Sequence, residues 1–166
     1  MKTLLALLVC TAAALTWWPA SQTKIRQEPR PDPSAAEAVL DAVNTLRAAG
    51  CKCPDGKRYR PAPPLRLDER LGKAAQAHAD DMFRRKYFSH RGRDGSEASD
   101  RVERAGYQWV TVGENIAKGY PTTASVVQAW RTSADHCSNL MEPSFRDMGL
   151  GKTGPYWVQN FGATER

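Results

Sequence analysis

A chain of 166 residues has room for one domain with appendages. Its 41% hydrophobic and 25% charged residues are enough to build a core, which sets aside a wholly disordered chain. The formal net charge of +6 suits attraction to anionic envelope polymers or lipid head groups, or simply a solvated surface; no nucleic-acid motif accompanies it.

Lys2 precedes an apolar run from Leu4 to Trp18, broken only by Cys10, Thr11 and Thr16. This is a positive n-region followed by an h-region, and residues 1–20 are expected to be a signal peptide or an uncleaved signal anchor. The run is short of the roughly 20 apolar residues that span a bilayer. Leu7-Leu8-Val9-Cys10 has the outline of a lipoprotein box, but bulky Val9 stands where a small residue is wanted, so lipidation is not favoured. Residues 21–33 hold Pro29, Pro31 and Pro33 among mixed charges and read as an extended tether. The folded domain is expected over 34–166.

Ser34 and Glu37 have the spacing of a capping box, and Val39, Leu40, Val43 and Leu46 follow as an apolar helical stripe. Gly50 suits a left-handed stop. Residues 51–66 read as a proline-rich irregular connection. Asp68 caps a second helix that buries Leu71, Ala74, Ala75, His78 and Met82, and His90 falls on the loop beyond it. Here the histidine at 78 reads as a core residue. Arg84-Arg85-Lys86 with Arg91 and Arg93 surrounds His90 with positive charge. Ser96 is the expected cap of a short third helix closed by Gly106. Trp109–Ile116 is rich in β-formers and reads as a strand carrying Glu114. Thr122 or Thr123 starts a fourth helix with Val126, Val127 and Trp130 on one side, and Ser133 starts a fifth through Leu140. Met148–Lys152 and Tyr156–Ala163 flank Thr153-Gly154-Pro155 as a hairpin. Helices first, mixed elements next and a hairpin last make an α+β pattern. Gly113, Gly149 and Gly162 read as backbone punctuation.

Cys51, Cys53 and Cys137 follow the export segment, so they meet an oxidising compartment. Three is odd, leaving at most one internal bridge and one spare thiol. One intervening residue strains a Cys51–Cys53 bond. A bridge from this loop to Cys137 closes a loop of over roughly 80 residues, worth on the order of 4 kcal/mol in the chain-entropy model. The rival reading joins all three to a metal.

Four phrases stand in order: Tyr87-Phe88-Ser89-His90, Gly113-Glu114-Asn115-Ile116-Ala117, Trp130-Arg131-Thr132-Ser133-Ala134-Asp135-His136 and Tyr156-Trp157-Val158-Gln159-Asn160-Phe161-Gly162. Together they resemble the bacterial branch of the CAP superfamily, the SCP-like or pathogenesis-related-1-like extracellular domain, over residues 35–163. The resemblance implies an α–β–α sandwich with a small antiparallel sheet between helical layers, a secreted, periplasmic or envelope location, and a Cys53–Cys137 disulfide. Cys51 is then free or available for a linked dimer; otherwise a monomer is expected.

Animal and plant members carry two His and two Glu in a cleft, and some bind a divalent metal there. His90 matches the first His and Glu114 the first Glu. Ser133 stands where the second Glu is expected and Tyr156 where the second His is expected, while His136 is added three residues after Ser133. The cleft set implied is His90, Glu114, His136, Ser133 and Tyr156. As ligands, His90, Glu114 and His136 suit a divalent ion such as zinc, though no cofactor is required. The same three residues equally suit a hydrogen-bonded network that locks loop to sheet. A hydrolase reading would use Ser133 or Ser89 with His136 as base and Glu114 orienting the ring, but no nucleophile elbow is present. The leading expectation is a binding module, not an enzyme, for a small molecule, lipid, glycan or envelope protein. A peptide- or cell-wall-directed hydrolase and an adhesive envelope protein are the alternatives. Some eukaryotic members bind sterols or fatty acids through a caveolin-like loop with no match here.

Overall fold

The computed structural model describes residues 33–165. The expected export segment and tether residues 21–32 lie outside the described residues. Eleven elements follow in chain order: α1 (Pro33–Ala49), β1 (Cys51–Lys52), β2 (Arg58–Tyr59), β3 (Arg66–Leu67), α2 (Glu69–Arg85), α3 (Ala98–Arg104), β4 (Thr111–Lys118), α4 (Thr123–Arg131), α5 (Ala134–Met141), β5 (Asp147–Thr153) and β6 (Tyr156–Ala163). No helix among the described residues is long and apolar enough to cross a membrane.

The main sheet has the order β3-β5-β6-β4. Its three long strands are antiparallel, and β3 adds two residues in parallel to β5. Alternation along each strand assigns side chains to two helical layers. Ile116, Tyr156 and Val158 meet Ala75, Ala79 and Met82 of α2, while Leu71 and Ala74 join Val102 of α3 and Tyr107. On the other face Met148, Leu150, Trp157 and Phe161 pack with Val39, Val43, Val126, Trp130 and Leu140 of α1, α4 and α5. The result is the α–β–α sandwich. Fully burying a side chain such as Leu140 or Met148 contributes about 1.5–3 kcal/mol, so these three clusters are a main source of stability.

Asp68 caps α2 as expected, accepting from the amides of Arg70 and Leu71. Three expectations shift. Helix α1 begins at Pro33, the first-turn position where proline costs no hydrogen bond, one residue earlier than the expected start at Ser34. The cap of α3 is Glu97, whose amide is bonded by Asp100, because Ser96 is already turned to Asp94. The proline-rich 51–66 stretch contains a two-residue hairpin of β1 and β2 and the strand β3.

The strand glycines serve packing and not punctuation. A Cβ on Gly149 or Gly151 would enter the backbone of Leu71-Gly72 or Ala75-Gln76. Helix α2 therefore lies directly on β5, a separation only glycine permits. Gly113 and Gly162 likewise make room for the rings of Phe145 and Tyr107.

A second internal tie is Arg47, fully buried on α1. It donates to the carbonyls of Pro63, Leu140, Glu142 and Phe145. Burial, with Arg146 adding to it, lowers its pKa to about 10. The guanidinium thus replaces water for four carbonyls where α1, the proline-rich segment and the α5–β5 turn converge.

Candidate functional site

The centre of the site is Glu114, on β4 at the edge of the sheet and 7% exposed. Neighbouring residues of this strand point to opposite layers. Glu114 faces α2 and α3, whereas Asn115 faces α5 and donates to the carbonyl of His136 and to Gln159 Oε1. Asn139 donates in turn to the Glu114 carbonyl and to Asn115 Oδ1. The Gly-Glu-Asn phrase thus fixes two layers to one edge strand.

Both carboxylate oxygens of Glu114 are engaged. His90 Nδ1 lies 2.8 Å from Oε1, and Arg101 donates to Oε2 at 2.7 Å. Asn160, directly across the ladder from Glu114, donates to Oε2 at 3.2 Å when its amide is oriented so that its oxygen accepts from Ala75 N–H. Burial pushes the Glu114 carboxyl up, but the His90 bond and the Arg101 charge together hold it below its ordinary value. Glu114 is therefore a carboxylate at neutral pH. Because a carboxylate only accepts, Nδ1 is the donor of this bond, which leaves Nε2 as the ring nitrogen free to meet a partner. The His90 side chain is 53% exposed.

Arg101 is the residue that sequence reasoning missed. It is 8% exposed, and it also donates to the carbonyls of Ser96 and His90. It therefore holds the His90 loop and the Glu114 carboxylate at once. Its Nε is buried without a partner among the described residues. The local sequence offers no signal for this role, because an arginine on a seven-residue charged helix reads as solvated. Asn160 was more accessible, since it stands in the last motif opposite the strand that carries Glu114.

The other expected site residues are placed as follows. His136, in the first turn of α5, is half-buried and close enough to His90 for their charges to interact. Burial, and then the His90 charge, lower its pKa below the ordinary imidazole value. Ser133 is the N-cap residue of α5, but its hydroxyl makes no cap bond. No hydrogen bond among the described residues joins Ser133 to His136, and Ser89 Oγ accepts from Arg91 N–H. Tyr156 is buried on the same sheet face as Glu114, packed near Phe83 and Phe88. Its Cα is four residues along β6 from that of Asn160, the residue paired with Glu114, a backbone separation of about 13 Å. The ligand atoms of His90, Glu114 and His136 are not gathered within 4.8 Å of one another; among the described residues only Cys51, Cys53 and Cys137 are. His78 is a buried core histidine, its Nε2 2.9 Å from the Ser89 carbonyl. Burial holds its imidazole below the ordinary value, against the pull of Glu114.

A groove of about 340 Å³ runs beside this centre between α2 and α3. Its walls include Lys73, His78, Asp81, Asp94, Arg101 and Arg104. None of the five expected cleft residues lines it; Arg101 is the link between groove and centre.

The profile of the cysteine-rich secretory protein family, CAP, matches residues 40–161. This chain belongs to the CAP family. It is 39% identical over 100 residues to the uncharacterized protein YkwD of Bacillus subtilis, covering 59% of this chain and 39% of that protein. It is 31% identical over 128 residues to the uncharacterized membrane protein YlbC of the same organism, covering 77% of this chain and 34% of that protein. The chain thus spans little more than a third of those relatives' length. Among solved CAP folds, an extracellular protein containing an SCP domain from Bacillus anthracis superposes with a TM-score of 0.70 at 26% identity, covering 79% of this chain and 41% of that one. An outer surface protein from Borrelia burgdorferi gives a TM-score of 0.68 at 19% identity, covering 82% of this chain and 98% of that one, and so shares the fold.

Proposed function

We propose that this CAP domain is a secreted or envelope-attached binding module whose working surface surrounds His90. The observation that carries this reading is the asymmetry of the Glu114 pair. Arg101 holds the carboxylate from the buried side, and the half-exposed His90 ring holds it from the outer side. A buried ion pair of this kind fixes geometry more than it stabilises, and the ring it fixes is half-exposed on a loop whose next residues in sequence include Arg91 and Arg93. An oriented imidazole with Nε2 free for a partner, beside His136 and on a stretch of chain rich in arginine, suits a polar or anionic partner. Envelope glycans and anionic lipid head groups have that chemistry. An extracellular location follows the Bacillus anthracis relative, whose description is extracellular.

The arrangement favours binding over metal chemistry, because Arg101 already neutralises Glu114. It favours binding over hydrolysis, because among the described residues no serine hydroxyl is hydrogen-bonded to His90 or His136. The test is amide and imidazole NMR of the protein during titration with soluble muropeptides, and separately with vesicles of phosphatidylglycerol, with zinc as a third arm. The expected result is saturable shifts confined to His90, His136 and their neighbours with one of the first two probes, lost in His90→Ala. Shifts only on other surfaces, or none with any probe, would reject the reading. Zinc broadening of both histidines together would replace it with a metal cleft.

A further inference from the structure

We propose that Cys51, Cys53 and Cys137, once the disulfide is reduced, form a thiolate site for a thiophilic closed-shell ion of the zinc type. In the structure Cys53 and Cys137 are disulfide-bonded, and Cys51 is the free cysteine. Cys51 Sγ lies 3.9 Å from Cys53 Sγ and 3.8 Å from Cys137 Sγ. Four-coordinate zinc with Zn–S of about 2.3 Å needs sulfurs about 3.8 Å apart, the edge of its tetrahedron. Two of the three edges are already in place.

The near equality of the two distances also decides between roles for Cys51. A thiolate that displaces a disulfide sulfur attacks along the S–S axis. A sulfur equidistant from both partners sits abreast of the bond, not in line with it. Cys51 is thus positioned as the third corner of a triangle and not as an exchange nucleophile.

The backbone holds these corners without the disulfide. Cys51 and Cys53 are two apart on one extended segment and so share a side. That segment is fixed by the ladder of β1 with β2 and by bonds from Cys53 N–H to the Lys57 carbonyl and from Gly56 N–H to the Cys53 carbonyl. Cys137 is in the first turn of α5, which Leu140 anchors in the core. Cys53 opens onto a surface groove shared with Lys52 and Arg131. Arg131, which lines that groove and acts electrostatically on Cys51, offsets part of the single negative charge left when a divalent ion binds three thiolates. The half-exposed flank of Cys51 leaves the fourth position to water.

The chemistry balances simply. A dithiol reductant gives two electrons and two protons to the Cys53–Cys137 bond, yielding two thiols and the oxidised dithiol. The ion then displaces the thiol protons into solvent. The same three points of the fold are tied by a covalent bond under oxidising conditions and by a metal under reducing ones.

The test uses the full chain carrying Cys10→Ser, in mild detergent, fully reduced under anaerobic conditions. Cobalt(II) is titrated as the optical probe, then displaced with zinc. One equivalent should give the near-ultraviolet thiolate-to-metal band and visible tetrahedral bands, and Cys51→Ser should lose them, as should the oxidised protein. Because reduction lowers stability, thermal melting of the reduced proteins is read in parallel. Zinc should raise the midpoint of the parent and not of Cys51→Ser. Equal cobalt affinity in parent and Cys51→Ser, or binding that leaves the parent's midpoint unchanged, overturns the proposal.

Discussion

Replacing Arg101 with Met keeps an apolar stem of similar length and removes the guanidinium. The Glu114 carboxylate then stays buried with His90 Nδ1 and Asn160 as its partners. Removing one member of a buried ion pair costs about 3–5 kcal/mol. The two remaining hydrogen bonds put this case at the low end, about 3 kcal/mol, or on the order of 10 °C in melting temperature for a domain of this size. The pH dependence makes the reasoning specific. In the parent protein the folded pKa of Glu114 is lowered. Its contribution is therefore present above the unfolded carboxyl value and lost as pH falls through the folded one. In Arg101→Met, burial dominates and the folded pKa rises above the unfolded value, so the carboxyl then favours folding as pH falls. The stability gap between the two proteins should narrow from neutral pH towards about pH 4. Urea unfolding of both at neutral and mildly acid pH measures it. A gap under about 1 kcal/mol at neutral pH, or one that does not change with pH, would refute the account of Arg101 as the counter-ion of Glu114.

Three further outcomes are expected. Gly151→Ala brings a methyl into the backbone of Ala75 and Gln76, atoms that cannot rotate away; it should cost about 3 kcal/mol in urea unfolding, whereas Gly56→Ala, with nothing near its Cβ position but a left-handed φ of 86°, should cost about 1 kcal/mol. Cys137→Ser opens a disulfide whose partners are 84 residues apart, and should destabilise by about 4.5 kcal/mol on the chain-entropy argument; a loss under 1 kcal/mol would mean the hairpin and α5 need no covalent tie. His136 should titrate below the ordinary imidazole value in NMR, since burial and His90 both disfavour its charge. Its contribution to stability is then present above the unfolded value near 6.5 and lost as pH falls through the folded one. His90→Ala should move the His136 midpoint upward.

Helix α2 shows how much the sequence held. Asp68, the apolar spacing of Leu71, Ala74, Ala75, His78 and Met82, and the loop position of His90 were all readable from local pattern. Each depends on side chains a few residues apart, and that is the range over which periodicity and capping act. The Cys53–Cys137 disulfide was implied by the family resemblance; spacing alone left Cys51 as an equal partner. Glu97 displaced Ser96 as a cap because a neighbour, Asp94, competed for the serine hydroxyl, and sequence does not rank such competitors.

The site itself divides along the same line. The chain by itself determined that the fold is an α+β sandwich of the CAP type and that His90 and Glu114 belong together, because the ordered motifs carry that information. Tertiary structure alone decided that Arg101 neutralises Glu114, that Tyr156 packs beside Phe83 and Phe88, and that Gly149 and Gly151 are where α2 meets the sheet. It also gathered Cys51 against the disulfide. Such facts depend on which elements pack together at a few ångströms. A burial of charge or a missing Cβ has consequences only once its neighbour across the layer is in place.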